Sequence, residues 1–106
     1  MTIELNRDSF ENEVLAAKEL VLIDFWGPQC VPCLALAPGV ETIAEKYADR
    51  IKVVKVEAPK NRRLCLNLKV LSLPTFLTYK DGKEVERLSG DRVSLQMIED
   101  SIKRLL

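Results

Sequence analysis

The alternation of apolar and polar residues predicts strands separated by helices. Residues 20–26 form a nearly continuous apolar run with β-branched and aromatic side chains, typical of a strand buried on both faces, and residues 51–56 predict a second buried strand. A helix is predicted between them over residues 33–47, kinked at Pro38, because apolar residues recur at Leu36, Val40, Ile43, Ala44 and Tyr47. The crossover makes the two strands parallel neighbours, with residues 20–26 central in the sheet.

A β-hairpin is predicted in the second half of the chain. Residues 75–79 and 84–89 have the composition of strands and flank a turn that contains Asp81 and Gly82. The Asp-Gly dipeptide strongly favours a tight hairpin turn. These two strands are therefore expected to pair antiparallel and to add an antiparallel edge to the parallel strands.

Three further helices are predicted. The first is expected to be capped by Asp8, since Glu11 stands three residues on. A short helix is expected over residues 61–68, and an amphipathic helix begins near Ser94 and closes the chain. With about four helices on both faces of a mixed sheet of four to five strands, residues 1–106 are predicted to form a single three-layer α/β/α domain.

The amino-acid composition excludes several classes of function but says little about the fold. Sixteen basic and sixteen acidic residues cancel, which predicts no overall field that would attract nucleic acid or an anionic membrane. The absence of histidine excludes Cys-His and Ser-His catalysis and any histidine-containing metal site. Residues 1–8 lack the pattern of a secretory signal, and no apolar run approaches the ~18 residues that cross a membrane. We expect a cytoplasmic monomer.

The candidate chemistry is concentrated at Cys30 and Cys33, directly after a buried strand and at the start of a helix. One helical turn brings such residues together, so the sulfurs can close a small disulfide or open as a dithiol. The helix N-terminus favours an anion and lowers a thiol pKa, which predicts Cys30 as the nucleophile. Cys33, one turn deeper, is expected to be less exposed and to resolve the mixed disulfide.

Two other roles for this pair are less favoured. A zinc or iron–sulfur site normally needs about four ligands, and Cys65 is the only further cysteine. A purely structural disulfide of this spacing would close a ring too small to constrain the unfolded chain much. Three unevenly placed cysteines also do not resemble the disulfide framework of a secreted domain.

The sequence resembles the thioredoxin family over essentially its whole length. The matches follow the family's order and spacing at Asp24-Phe25-Trp26, Cys30-Val31-Pro32-Cys33, Pro38, Lys55, Leu73-Pro74-Thr75, Gly82 and Gly90. The resemblance implies a thioredoxin fold and a thiol–disulfide oxidoreductase, a general electron donor that reduces protein disulfides through a mixed-disulfide intermediate. It implies no cofactor or metal besides the cysteine pair, with disulfide-containing client proteins and a thioredoxin reductase as partners. A disulfide isomerase or oxidase, and an interaction module without turnover, are the alternatives.

The resemblance also implies roles for individual residues. Pro74 should follow a cis peptide bond beside the cysteines, where neighbouring backbone can pair with an extended substrate segment; by itself, a proline opening an edge strand is the simpler interpretation. Trp26 is expected to shield the cysteines, or else to be an ordinary core residue. Lys55 and Pro32 are expected to support the site. Substrate contacts are expected at Gly27, Pro28, Gln29, Val31, Leu73, Pro74 and Gly90.

Asp24 is implied to exchange a proton with Cys33 through water, and its position supports this. A carboxylate inside an apolar strand costs energy unless it is paired or used, and burial should raise its pKa. It is then suited to activate the resolving thiol. The alternative, which can coexist with the first, is a carboxylate paired with Lys55.

The active-site sequence departs from the family pattern. Gln29 replaces the usual Trp, Val31 replaces Gly between the cysteines, and Leu34 replaces the Lys that follows them. Loss of a cation and of a flexible residue should shift the relative stability of dithiol and disulfide. Cys65 is expected to fill a core position, with a regulatory thiol as the alternative. The basic cluster over residues 60–63 is expected to be solvated.

Overall fold

The computed structural model describes residues 2–106, whose five strands form one mixed sheet in the spatial order β1-β3-β2-β4-β5. The strands are β1 Ile3–Leu5, β2 Leu20–Trp26, β3 Ile51–Glu57, β4 Thr75–Lys80 and β5 Lys83–Ser89. Strands β1, β2 and β3 are parallel, whereas β4 pairs antiparallel with both β2 and β5. The predicted parallel crossover, the central place of β2 and the hairpin are confirmed.

Helices cover both faces of this sheet. They are α1 Arg7–Phe10, which continues as a π-helical turn over Glu11–Leu15, α2 Val31–Lys46, α3 Arg62–Asn67 and α4 Leu95–Leu105. One core cluster packs α1 and α3 against one face of the sheet, and a second packs α2 and α4 against the other. The predicted three-layer α/β architecture is confirmed. Among residues 2–106, no helix is long and apolar enough to cross a membrane.

The side chains of β2 alternate between the two faces of the sheet. Val21, Ile23 and Phe25 belong to the core under α1 and α3, whereas Leu20 and Leu22 belong to the core under α2 and α4. Successive side chains of a strand point to opposite faces. Asp24 therefore shares the face with Leu22, beneath the helix that carries the cysteines.

The N-terminal segment differs from the prediction. The cap of α1 is Asn6, whose side chain accepts the backbone N–H of Ser9 while the Ser9 hydroxyl accepts the N–H of Asn6. This reciprocal pair satisfies two N–H groups that the helix leaves free. The predicted cap at Asp8 is wrong, because Asp8 lies in the first turn of α1. Strand β1, with three residues, is too short to show a periodicity and was not predicted.

One buried polar group leads to a stability prediction. Ser101 of α4 is 2% exposed, and its hydroxyl has no hydrogen-bond partner within residues 2–106. Burying an unpaired hydroxyl costs free energy, and alanine is the better helix former. Ser101→Ala is therefore expected to raise the free energy of unfolding by about 1 kcal/mol in urea titrations.

A second serine of the same helix is the matched control. Ser94 caps α4 by accepting the backbone N–H of Met97 at 3.2 Å. Ser94→Ala should lower the free energy of unfolding by about 1 kcal/mol, because it removes that cap. A destabilised Ser101→Ala variant would contradict the first expectation.

Candidate functional site

The candidate site is the junction between β2 and α2. Cys30 and Cys33 are joined by a disulfide, with their Cα atoms 5.2 Å apart. Cys30 is the N-terminal cap of α2, and the backbone N–H of Cys33 donates to its Sγ at 3.2 Å. Cys33 is 4% exposed, whereas Cys30 is partly exposed. The expected difference in exposure between the two sulfurs is confirmed.

The segment that carries Cys30 exposes uncharged, mostly apolar side chains. Val31 and Leu34, in the first turn of α2, are 75% and 47% exposed. Pro28 and Gln29 are exposed in the loop before Cys30, and the second helical position is Pro32. Since no charged side chain stands between Pro28 and Leu34, the helix N-terminus is the source of positive potential within this segment.

A second loop lies against the first. The peptide bond between Leu73 and Pro74 is cis, as the resemblance implies. A Cβ atom placed on Gly27 would lie 3.3 Å from Leu73 Cδ1, so the two loops are in close contact. Gly90 is bound to the second loop, because its N–H donates to the Pro74 carbonyl at 2.9 Å. The φ of Gly90 is +100°, a backbone conformation that favours glycine. The structure thus brings together most of the predicted substrate-contacting residues.

An apolar groove opens beside this second loop, with a volume of about 460 Å³. Its walls come from three segments, and its lining residues are Ala58, Pro59, Arg62, Cys65, Leu66, Val70, Leu71, Ser72 and Leu73. Leu71 is 82% exposed and Leu66 is 64% exposed. Sequence reasoning missed this groove, because its lining comes from the segment before α3, from α3 itself and from the loop after it.

Cys65 and its neighbours lie where the sequence predicts. Cys65 is buried in α3, and burial raises the pKa of its thiol. It is therefore a core thiol kept in its protonated, unreactive form at neutral pH. Lys60, Arg62 and Arg63 are exposed, which confirms the solvated basic cluster.

Asp24 is buried, with 3% of its surface exposed. Burial raises its pKa to about 7, in the predicted direction; the Lys55 ammonium opposes this rise and the Glu4 carboxylate adds to it. Lys55 is its neighbour in register on β3. Among residues 2–106, no direct ion pair joins Asp24 to Lys55. The Lys55 charge nevertheless acts on the Asp24 carboxyl, so its association with Lys55 and a role in proton transfer can coexist.

Trp26 and Lys55 form a polar cluster with Glu4 of β1. The Trp26 indole N–H donates to the Glu4 carboxylate at 3.3 and 3.4 Å. Lys55 Nζ lies 4.9 Å from the centre of the Trp26 ring, a cation–π contact. Trp26 is partly exposed, so the alternative of an ordinary core residue is wrong. Glu4 was missed because no sequence signal indicated β1.

The disulfide itself is the redox group of this site. Within residues 2–106, no three side chains of the metal-ligating types lie close enough together to hold a metal ion. The cysteine pair needs no external group to accept or donate two electrons, because its own S–S bond breaks and forms.

Comparisons with known proteins show which family the sequence resembles. The Thioredoxin family model matches residues 1–104. A thioredoxin of Acetoanaerobium sticklandii is 37% identical over 97% of this chain and 98% of its own length. A thioredoxin of Peptoclostridium acidaminophilum is 38% identical over 98% and 94%, and thioredoxin 1 of Synechococcus elongatus is 42% identical over 77% of each. The similarity extends over nearly the full length of the first two relatives.

Proposed function

Because this chain belongs to the thioredoxin family, it is a thiol–disulfide oxidoreductase, and we propose that it serves as a general reductant of protein disulfides, with Cys30 as the attacking sulfur. The observation that carries the proposal is the partly exposed Cys30 at the N-terminus of α2, paired with the buried Cys33. An exposed sulfur can reach a protein substrate, whereas a buried one can reach only its partner.

In the first step, the thiolate of reduced Cys30 attacks one sulfur of a client disulfide. A new S–S bond forms between Cys30 and the client, the client's own S–S bond breaks, and the other client sulfur leaves as a thiolate. The unpaired N–H groups at the start of α2 favour the Cys30 thiolate. The N–H of Cys33, which points to Cys30 Sγ in the oxidised protein, supports this assignment.

In the second step, Cys33 resolves the mixed disulfide. Its thiol proton passes to the Asp24 carboxylate through water, and the resulting thiolate attacks Cys30 Sγ. The second client sulfur leaves, so the client has gained two electrons and the protein returns to its Cys30–Cys33 disulfide. The pKa of about 7 supports Asp24 as the base, because such a group both accepts and returns a proton near neutral pH.

The client segment next to its disulfide is proposed to lie across the second loop and the groove. The loop that contains Leu73 and the cis Pro74 would pair with the client backbone, with Gly27, Pro28, Gln29, Val31 and Gly90 around it. The groove, whose rim carries the exposed Leu71, would hold an apolar side chain of the client. A thioredoxin reductase would return the electrons at the same surface.

The protein is further proposed to act as a monomer in the cytoplasm. A dithiol reductant suits a reducing compartment, where exposed disulfides are the exception and not the rule. The small, partly apolar surface around Cys30 is suited to brief contacts with many clients.

The proposal is tested by the reduction of a disulfide-containing protein with dithiothreitol in the presence and absence of this chain. We expect a large acceleration by the wild type. Leu71→Ser should lower kcat/KM several-fold for the protein disulfide, because it removes exposed apolar surface from the groove rim, and should leave the rate with a small aromatic disulfide unchanged.

Val85→Ser is the matched control for this groove variant. Val85 is also an exposed apolar residue, at 44%, and it lies in β5 near the hairpin turn. The Val85→Ser variant should reduce both substrates at the wild-type rate. No acceleration by the wild type would refute the reductase function, whereas equal effects of the two variants would refute only the groove.

A further inference from the structure

A row of side chains crosses the sheet on the face below α2. Glu4 of β1 is in register with Lys55 of β3, which is in register with Asp24 of β2, which in turn faces Phe76 of β4. Neighbouring strands lie about 4.8 Å apart, so Lys55 stands one strand from each of the two carboxylates. The lysine can therefore be attracted in either direction.

Two contacts hold the Lys55 ammonium in one of these directions. Lys55 Nζ lies over the Trp26 ring, and the indole of Trp26 is held by the carboxylate of Glu4. Asp24 has no ion-pair partner among residues 2–106. The ammonium is thus held over the Trp26 ring and forms no ion pair with Asp24, although its charge still lowers the pKa of that carboxyl.

We propose that Glu4 is a positioning residue for proton transfer at Asp24, because it holds Trp26, and through it Lys55, in an arrangement that leaves the Asp24 carboxyl unpaired. The inference rests on the proposed role of Asp24 in activating Cys33. An unpaired buried carboxyl exchanges protons near neutral pH, whereas one paired with an ammonium is locked in its charged form.

The other charged groups near this face are few. Glu57 stands one row further along β3, opposite Trp26, and its carboxylate lies 3.7 Å from Lys60 Nζ. Helix α2 carries Glu41, whose carboxylate accepts hydrogen bonds from Thr2. Strand β4 contributes the uncharged Phe76 to the row. Lys55 and Glu4 are the two charges that act on the pKa of Asp24.

Removing the charge of Glu4 should lower the pKa of Asp24 in two ways. A neutral amide oxygen accepts the indole N–H more weakly than a carboxylate, so Trp26, and Lys55 with it, are held less firmly. Lys55 can then approach Asp24, which lowers the pKa of that carboxyl. A negative charge that raises the same pKa is also lost. Glu4→Gln is therefore expected to lower the pKa of Asp24 from about 7 towards the ordinary range of a carboxyl.

The test is an NMR titration of the Asp24 carboxyl carbon in the oxidised full-length protein. Glu4→Gln should lower the midpoint, and Glu19→Gln, which removes an exposed acid just before the opposite end of β2, should leave it unchanged. In a Lys55→Met background, the effect of Glu4→Gln should be smaller, because no ammonium is left to be released.

An unchanged Asp24 midpoint in Glu4→Gln would overturn the proposal, and so would a shift of the same size in the Lys55→Met background. The pH profile of disulfide reduction provides a separate readout, and its Asp24-dependent limb should move to lower pH in Glu4→Gln. If Asp24→Asn reduces disulfides at the wild-type rate, the proposed role of Asp24 fails, while the titration still decides what Glu4 does.

Discussion

Cys30→Ser is expected to lower the rate of protein disulfide reduction by at least about a thousand-fold, because a serine hydroxyl stays protonated where the thiolate attacks. This is the largest effect expected of any single substitution. The measurement is the reduction of a protein disulfide by dithiothreitol, with the rate of dithiothreitol alone subtracted. Cys65→Ser is the control for loss of a thiol: Cys65 is buried in α3 and takes no part in the exchange, so its loss should change the rate no more than the several-fold expected of a groove substitution.

Cys33→Ser should instead accumulate a mixed disulfide. The partly exposed Cys30 can still attack a client, but the buried position no longer holds a sulfur that resolves the bond. Non-reducing electrophoresis and mass spectrometry should show client bound to Cys33→Ser and almost none bound to Cys30→Ser. Equal trapping by the two variants would contradict the division of roles.

Asp24→Asn is expected to make the oxidised protein more stable at neutral pH. The carboxyl has a pKa of about 7 in the folded protein against an ordinary value of 3.8, so the native state binds its proton more tightly than the unfolded chain. Stability therefore falls as pH rises from about 4 to about 7, and the loss persists above both values. Each pKa unit is worth about 1.4 kcal/mol, which gives ~4 kcal/mol in full.

The variant should recover part of this loss, about 2 to 4 kcal/mol at pH 8, because a buried amide still costs some free energy. Urea unfolding at pH 8 and at pH 4 measures it, and the difference from wild type should shrink at pH 4, where Asp24 is protonated in the folded protein. Asp49→Asn, at an exposed position, should show neither the gain nor its pH dependence.

The same variant should reduce disulfides more slowly, because the proposed base for Cys33 is gone. Stability and activity would then change in opposite directions, as expected of a residue retained for function at a cost in stability. A destabilised Asp24→Asn protein with unchanged turnover would show that the carboxyl serves the structure only.

Local patterns determined most of the architecture in advance. The apolar run of β2, the stripe of α2 and the Asp-Gly turn each depend on residues close together in the chain, and each was predicted correctly. The cysteine pair was also predictable, because its chemistry needs only two thiols one helical turn apart at a helix start. For the same reason the deeper position of Cys33 followed from the sequence.

Only the tertiary structure decided what surrounds those sulfurs. Strand β1 has three residues and no periodicity, so its register, and with it the contact of Glu4 with Trp26, could not be predicted. The groove is lined by residues between 58 and 73. These residues belong to a helix and to the loops on both sides of it, which form one concave surface only in the folded protein. The sequence suggested Asp24 as a partner of Lys55, and only the tertiary structure showed that the ammonium also lies over the Trp26 ring. Such choices depend on distances between residues far apart in the chain, which a local pattern does not contain.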